Sequence, residues 1–196
     1  MKWVHGVLLA VVGLGIAARA DATTIIALPE AELVRESDAI VVGTVIQTNT
    51  VIHENGVIAT QAHVQVHQAL RGPKANQVVI VEVPGGHLPN GLAAHTAGSP
   101  EMVGGDMIFG FLERAGTVFR PIGLSFGLLR VRQAKDGIFR VFREAQGLAM
   151  VDPTGTLVRH QTVELRDVPL TTFIARIRQH MDGIGVSLPD PGTVKP

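Results

Sequence analysis

The chain has 196 residues, of which 46% are hydrophobic, with 17 basic residues, 17 acidic residues and no cysteine. A net charge of zero excludes a general electrostatic attraction to nucleic acid or to an anionic membrane surface. The lack of cysteine excludes the small disulfide-rich secreted classes, so an exported chain of this kind is stabilised by packing alone.

Residues 1–22 have the pattern of a secretory signal peptide. A short basic start precedes the apolar run Val4–Ala18, and two Ala-x-Ala sites end at Ala20 and Ala22. The run is shorter than the roughly 20 residues that a transmembrane helix needs. We therefore predict an exported protein, periplasmic or extracellular, with no membrane span after cleavage.

The mature chain begins with a short extended segment, Thr23–Leu28. Pro29–Glu36 then predicts a short helix, because proline suits the first helical turn and glutamates suit its positive end. The β-branched run that follows predicts a strand over Ala39–Thr50, buried on both faces. Gly43 within that strand indicates a bulge or a sharp bend. Glu54–Gly56 contains the Asn-Gly pair of a hairpin turn.

The second strand, Val57–Leu70, alternates between apolar and polar residues and therefore predicts one buried face and one polar face. A third, apolar strand over Gln77–Val83 leads into Pro84–Gly105, a segment rich in Gly, Pro, Ala and Asn. Loops of this length inside a domain are often functional.

The remaining pattern predicts short strands with close turns, followed by a helix over Thr172–Met181 with Thr171 as its N-cap. We predict one mainly β domain over residues 23–182, a single barrel or sandwich flanked by two helices, and a flexible tail over residues 183–196. The predicted strands are Asp106–Glu113, Thr117–Gly123, Leu128–Gln133, Ile138–Arg143, Leu148–Val151 and Thr156–Val158.

One stretch, Gly123–Gly127, has the Gly-x-Ser-x-Gly form of a hydrolase nucleophile elbow and makes Ser125 a candidate nucleophile. That motif requires a turn from a strand to a helix in a parallel sheet, whereas the residues that follow here indicate a strand. A small periplasmic serine hydrolase is therefore an alternative function. Its candidate triad partners are Asp152 or Asp167 and His160 or His180.

Metal ligands and acid–base pairs are not evident in the pattern. His63 and His67 share a strand face but would lie about 13 Å apart. His87 and His95 lie in the long loop without cysteines beside them. We predict no metal and no cofactor. The carboxylates that could be paired for acid–base chemistry are Glu82, Glu101, Asp106 and Glu113.

One hairpin is locally basic, with Arg130, Arg132, Lys135 and Arg140. Phosphate-binding ribbons usually add stacking aromatic residues, but this chain has no Tyr and only seven Phe. We expect a solvated hairpin face and no nucleic-acid partner.

The order of elements over Thr23–Val83, ending in Leu70-Arg-Gly-Pro-Lys74, resembles the start of the netrin-like OB barrel of tissue inhibitors of metalloproteinases. The Ser37–Gly43 strand and the Val-Pro-Gly-Gly stretch before His87 also resemble a set of exported bacterial proteins, from which no activity carries over. The resemblance implies a single antiparallel OB-like barrel with extra hairpins.

In that inhibitor family the N-terminal amine and the first carbonyl bind the catalytic zinc of the protease, and the next side chain enters its specificity pocket. The resemblance therefore implies that Thr23 supplies the amine and Thr24 the side chain, although the family begins with a disulfide-bonded cysteine. The preferred hypothesis is a non-enzymatic exported binding module with a protein partner. An exported protease is one candidate for that partner. A structural envelope protein is a further alternative. The candidate binding residues are Thr23, Thr24, Gly85, Gly86, His87 and His95.

The signal-peptide interpretation predicts the first residue of the mature protein. N-terminal sequencing of protein recovered from the periplasm or the medium should give Asp21 or Thr23, because the two small-residue sites end at Ala20 and Ala22. A chain that retains Met1 would contradict export by cleavage, and an Asp21 start would contradict the zinc-chelating role of Thr23.

Overall fold

The structure, a computed structural model, describes residues 24–143, 149–152, 154–158, 165 and 167–183. Its elements in chain order are β1 (Thr24–Ile26), α1 (Glu30–Glu36), β2 (Ala39–Ile52), β3 (Ile58–Arg71), β4 (Val78–Pro84), β5 (Gly86–His87), β6 (Ala93–Ala94), β7 (Met107–Ala115), β8 (Val118–Pro121), a 3₁₀ turn (Leu124–Phe126), β9 (Leu128–Gln133), β10 (Phe139–Phe142), β11 (Ala149–Val151), β12 (Val168–Pro169) and α2 (Leu170–Met181).

Eight of the strands form one sheet in the order β12-β10-β9-β7-β2-β3-β4-β8, and β7 pairs with β8 as well. The neighbours are antiparallel except β4 and β8, which run parallel and pair only at Val81 and Phe119. The prediction of a mainly β chain with a short N-terminal helix and a C-terminal helix is confirmed. No helix in the described ranges has the length and apolarity needed to cross a membrane.

The first half of β2 is buried on both faces, as its β-branched sequence predicts. Ala39, Val41 and Val45 point into a valine-rich core, and Ile40 and Val42 point into a helix-side core. The other buried members of the valine-rich core are Ala62, Val64, Val66, Val79, Val81, Val83, Met102, Ile108, Leu112, Phe119 and Leu128.

Both helices cover the helix-side core. Phe173 of α2 packs edge-on against Phe109 of β7, with ring centroids 4.9 Å apart. The Arg176 guanidinium on α2 makes two contacts of 2.8 Å with the Glu30 carboxylate on α1, so an ion pair joins the helices beside this core. The remaining buried members are Leu33, Val34, Phe111, Ile122, Leu129, Val131, Val141, Ile174 and Ile177.

The long hairpin of β2 and β3 has the predicted turn and the predicted faces. Gly56 adopts a φ of 80° in the tight turn, which an Asn-Gly pair permits. Ala62, Val64 and Val66 are buried, whereas the alternate residues of β3 face outward. The pairing register shifts next to Gly43, which confirms the irregularity expected there.

Two sequence predictions differ from the structure in detail. The second helix begins at Leu170, after Pro169, and Thr171 makes no capping hydrogen bond. The predicted third small hairpin is reduced to a bridge between Val151 and Leu157, because β11 pairs in parallel with β1 instead. The predicted signal peptide and the tail from residue 184 lie outside the described residues.

Gly43 should be a position where even one methyl group destabilises the fold. A Cβ there would lie 2.6 Å from the Gln65 carbonyl oxygen and 2.6 Å from Val64 Cγ1, so the two strands would have to separate. We expect Gly43→Ala to lower the free energy of unfolding by about 1–3 kcal/mol in urea titrations. Gly104→Ala is the matched control, since its nearest heavy atom would be 4.0 Å away. Equal losses in both variants would contradict the close-approach explanation.

Candidate functional site

Two pockets lie near the tip of the β2–β3 hairpin. The larger one, which we call the Glu82 pocket, has a volume of about 1000 Å³. It lies between the hairpin turn, the end of β4 and β8, just beyond the one position at which these parallel strands pair. The residues that line it are His53, Glu54, Asn55, Val57, Ala59, Glu82, Val83, Pro84, Glu113, Arg120, Pro121, Gly123 and Leu124.

Glu82 is the charged centre of this pocket, and its side chain is only 4% exposed. Arg120 of β8 donates to one carboxylate oxygen from Nη2 at 2.7 Å and from Nε at 3.2 Å. Gln61 of β3 donates to the other oxygen at 2.9 Å, and His53 Nε2 lies 3.1 Å from that oxygen. The carboxylate therefore joins three strands and the hairpin tip.

The pKa of Glu82 reflects two opposing effects. Burial raises it, but hydrogen bonds from Gln61 and Arg120, together with electrostatic interactions with His53 and Arg120, lower it more. The resulting pKa lies below the usual range of a glutamate, so Glu82 is ionised at neutral pH. A carboxylate that is ionised and fully hydrogen-bonded anchors charge in the pocket and is poorly suited to donate or accept a proton.

The rim of the Glu82 pocket adds further negative charge. Glu54 at the hairpin turn and Glu113 at the end of β7 are both exposed. In the ranges that the structure covers, neither carboxylate takes part in an ion pair. Apolar walls are supplied by Val57, Pro121 and Leu124. The pocket thus combines apolar sides with an excess of carboxylates.

The second pocket, which we call the threonine pocket, has a volume of about 380 Å³. The Pro84–Gly105 segment folds beneath the β2–β3 hairpin and contains the small β5–β6 ribbon. Gly86 sits against the hairpin, where a Cβ would lie 2.5 Å from Thr60 Oγ1. The lining residues are Thr48, Thr50, Thr60, Val83, Pro84, Gly85, Gly86, His87, Ala94, His95, Thr96, Ser99, Pro100, Glu101 and Met102.

The structure brings four of the sequence-predicted residues together around the threonine pocket: Gly85, Gly86, His87 and His95. Thr24 lies elsewhere, in β1, where it pairs with Ala149. Thr23 lies outside the described residues. The four candidate residues of the loop therefore lie together, whereas Thr24 lies apart from them.

The candidate hydrolase residues are separated. Ser125 lies in the 3₁₀ turn between β8 and β9, two strands that each pair antiparallel with β7, and its backbone N–H donates to the Gly98 carbonyl at 3.1 Å. Asp152 accepts hydrogen bonds within its own turn, from Thr154 and Thr156, and these hydrogen bonds lower its pKa. His180 Nε2 lies 3.7 Å from Glu30 on the helix side. Asp167 contacts Arg140, and His160 lies outside the described residues.

Two of the arginines in the basic hairpin, Arg130 and Arg140, are paired with nearby carboxylates. Arg130 donates to Asp106 at 2.8 Å and to the Glu101 carbonyl at 2.9 Å. Arg140 donates to Asp136 at 2.6 Å. The outward-facing His67 lies 2.8 Å from Thr44 Oγ1. Within the described part of the chain, no three His, Asp or Glu side chains come together in a way that could hold a metal ion.

Sequence reasoning missed the group of His53, Gln61, Glu82 and Arg120. One local signal was present, because Glu82 is the single charge in the apolar strand Val78–Pro84, and a buried charge needs a partner. Its partners come from three other segments, so the sequence pattern does not identify them.

Comparison with protein-family models, with curated protein sequences and with solved structures found no match for this chain. The two pockets are therefore interpreted from their own geometry.

The lowered pKa of Glu82 predicts a pH-dependent contribution to stability. Because the pKa of Glu82 is lower in the folded state, its ionised carboxylate stabilises the fold. This stabilisation is fully present at pH values above the ordinary glutamate pKa of about 4.3, and it is lost as the pH falls through the lowered pKa. Glu82→Gln should lower the free energy of unfolding at pH 7 by about 1–3 kcal/mol, since Arg120 and His53 lose their charged partner.

Urea titrations from pH 3 to pH 8 check this expectation. The difference between the native protein and Glu82→Gln should be largest near neutral pH and should shrink in acid. Glu54→Gln serves as the control, because this exposed side chain has no ion pair in the described ranges and should change stability by less than about 0.5 kcal/mol. A difference that is independent of pH would contradict the role assigned to Glu82.

Proposed function

We propose that this chain is a non-enzymatic exported binding module built on an OB-like barrel. The strand pairings support this architecture, because they run from β2 through β3, β4 and β8 to β7 and return to β2. A five-stranded OB barrel closes in the same way. Export rests on the signal-peptide pattern of residues 1–22.

The position of the Glu82 pocket carries the binding proposal. OB barrels bind their ligands on the face of the second and third strands, between the first hairpin loop and the loop that joins the last two strands. In this chain those loops are the β2–β3 turn and the β7–β8 turn. The pocket contacts the β2–β3 turn through His53, Glu54 and Asn55, and it contacts the end of β7 through Glu113.

The charge of the pocket favours a partner with a basic side chain. Glu54, Glu82 and Glu113 outnumber the single guanidinium of Arg120, and the apolar walls can pack against an aliphatic stem. A lysine or an arginine has such a stem below its charged group. We therefore propose an exported protein partner that inserts a basic side chain here. The resemblance to the metalloproteinase inhibitors suggests an exported protease as the class of that partner.

The surroundings of Ser125 support a non-enzymatic function over a serine hydrolase. The turn leads from one strand to another strand and not to a helix, so it does not present the serine as a nucleophile elbow does, and the described candidate partners are engaged elsewhere. The inhibitor mechanism through Thr23 and Thr24 is a separate proposal, because it uses the N-terminal segment and not the Glu82 pocket. In the structure, Thr24 lies in β1 and pairs with Ala149.

Charge-matched peptides test the binding proposal. Fluorescence anisotropy should detect tighter binding of short apolar peptides with one central Lys or Arg than of the same peptides with Glu at that position. Glu113→Gln should weaken binding by about threefold to tenfold, and added salt should weaken it as well, because the Glu113 carboxylate is at the exposed rim.

Glu36→Gln on α1 is the matched control, since it changes the net charge equally at a remote exposed site and should leave binding unchanged. Equal binding of the Lys and Glu peptides, or an equal loss in both variants, would contradict the proposed partner chemistry.

A further inference from the structure

The threonine pocket lies where one face of the β2–β3 hairpin changes from apolar to hydroxylated. Ala62 of β3 belongs to the valine-rich core, and Thr48 of β2 lies directly opposite it. Two residues further along β2, Thr50 lies opposite Thr60, which in turn lies opposite Val83 of β4. Residues opposite each other in antiparallel strands share a face, as do residues two apart in one strand. Three hydroxyl groups therefore form one surface that continues the apolar core.

Two glycines allow the loop that follows β4 to approach this hydroxyl surface closely. Gly85 and Gly86 have φ angles of 93° and 147°, which side chains disfavour. A Cβ on Gly86 would lie 2.5 Å from Thr60 Oγ1 and 2.9 Å from Thr50 Oγ1. Thr60 Oγ1 also donates to the Gly85 carbonyl at 2.8 Å. The pocket is thus bounded by the hairpin on one side and by closely packed loop backbone on the other.

The hydrogen-bonding groups of the pocket are only partly used within the protein. Ser99 Oγ donates to a carbonyl at the start of the loop at 2.7 Å, as Thr60 Oγ1 does at 2.8 Å, and both oxygens keep lone pairs that can accept. In the ranges that the structure describes, the hydroxyl groups of Thr48, Thr50 and Thr96 make no hydrogen bond. Each of them can donate one hydrogen bond and accept two. The pocket therefore offers donors and acceptors side by side.

The charges around the threonine pocket disfavour a charged ligand. Among the described residues that line it, none is Lys or Arg, Glu101 is the one carboxylate, and His87 and His95 are the two titratable rings. An anion would meet the Glu101 carboxylate with no permanent cation to balance it. An ammonium group has donors only, so the threonine O–H groups would have nothing to donate to. A neutral ligand whose groups both donate and accept fits these side chains.

We propose that the threonine pocket binds a neutral, hydroxyl-rich ligand of monosaccharide size. Its volume of about 380 Å³ is near the lower end of the range of ligand pockets, which fits one small ring. Each hydroxyl group of a sugar donates and accepts, as the pocket requires. The apolar C–H face of the sugar packs against Val83 and Met102, which line the pocket and are 3% and 5% exposed. The polar side chains of this site are not those of the Glu82 pocket, so the inference is independent of the proposed function.

NMR titration of the purified, isotope-labelled protein tests the proposal with glucose, galactose, N-acetylglucosamine and myo-inositol as probes. We expect at least one probe to bind saturably and to shift the backbone amide signals of Gly85, Gly86 and Thr50. Thr48→Val and Thr50→Val should each weaken this binding by about threefold to tenfold, because each removes one hydroxyl group and keeps a side chain of similar shape. Urea titrations check that both variants are folded.

Thr172→Val is the matched control, since it removes a hydroxyl group from the exposed surface of α2 and should leave binding unchanged. Glu113→Gln should also leave sugar binding unchanged, because Glu113 lines only the Glu82 pocket. The proposal would be overturned by the absence of saturable binding of all four probes at up to about 20 mM. Tighter binding of inorganic phosphate than of the sugars, or an equal loss in Thr50→Val and Thr172→Val, would overturn it as well.

Discussion

The rest of the structure depends on the burial of Ala39–Val45 on both faces of β2. Side chains on one face fill the valine-rich core, and those on the other fill the helix-side core beneath α1 and α2. Full burial of each valine or isoleucine contributes about 1.5–3 kcal/mol. Strands β3 and β7 flank this segment on its two edges, so both cores are organised around one strand.

Local patterns predicted the elements of this arrangement because their physical causes are local. The alternation in β3 follows from the period of a strand, and the Asn-Gly pair allows the positive φ that the hairpin turn requires. The parallel pairs β4–β8 and β1–β11 were not predictable in this way. Each joins segments that are far apart in the chain, and no local pattern encodes their register.

The same distinction separates the two pockets. The candidate residues Gly85, Gly86, His87 and His95 lie within one loop, so a reading of that loop found four residues of the threonine pocket. The Glu82 pocket depends on Arg120, which reaches Glu82 only because β8 turns back beside β4. An isolated charge in an apolar strand indicates that a partner must exist, but the fold decides which residue it is.

The two halves of β2 have similar β-branched compositions and opposite environments. Such residues fit any pleated surface, so their composition does not distinguish a core strand from a free edge. The difference comes from the neighbouring strand, because β7 begins only at Met107, after Gly105 and Asp106 have paired with Val45. The point where β7 and the residues before it stop pairing therefore determines where β2 changes from a core strand to a strand that is paired on one edge only.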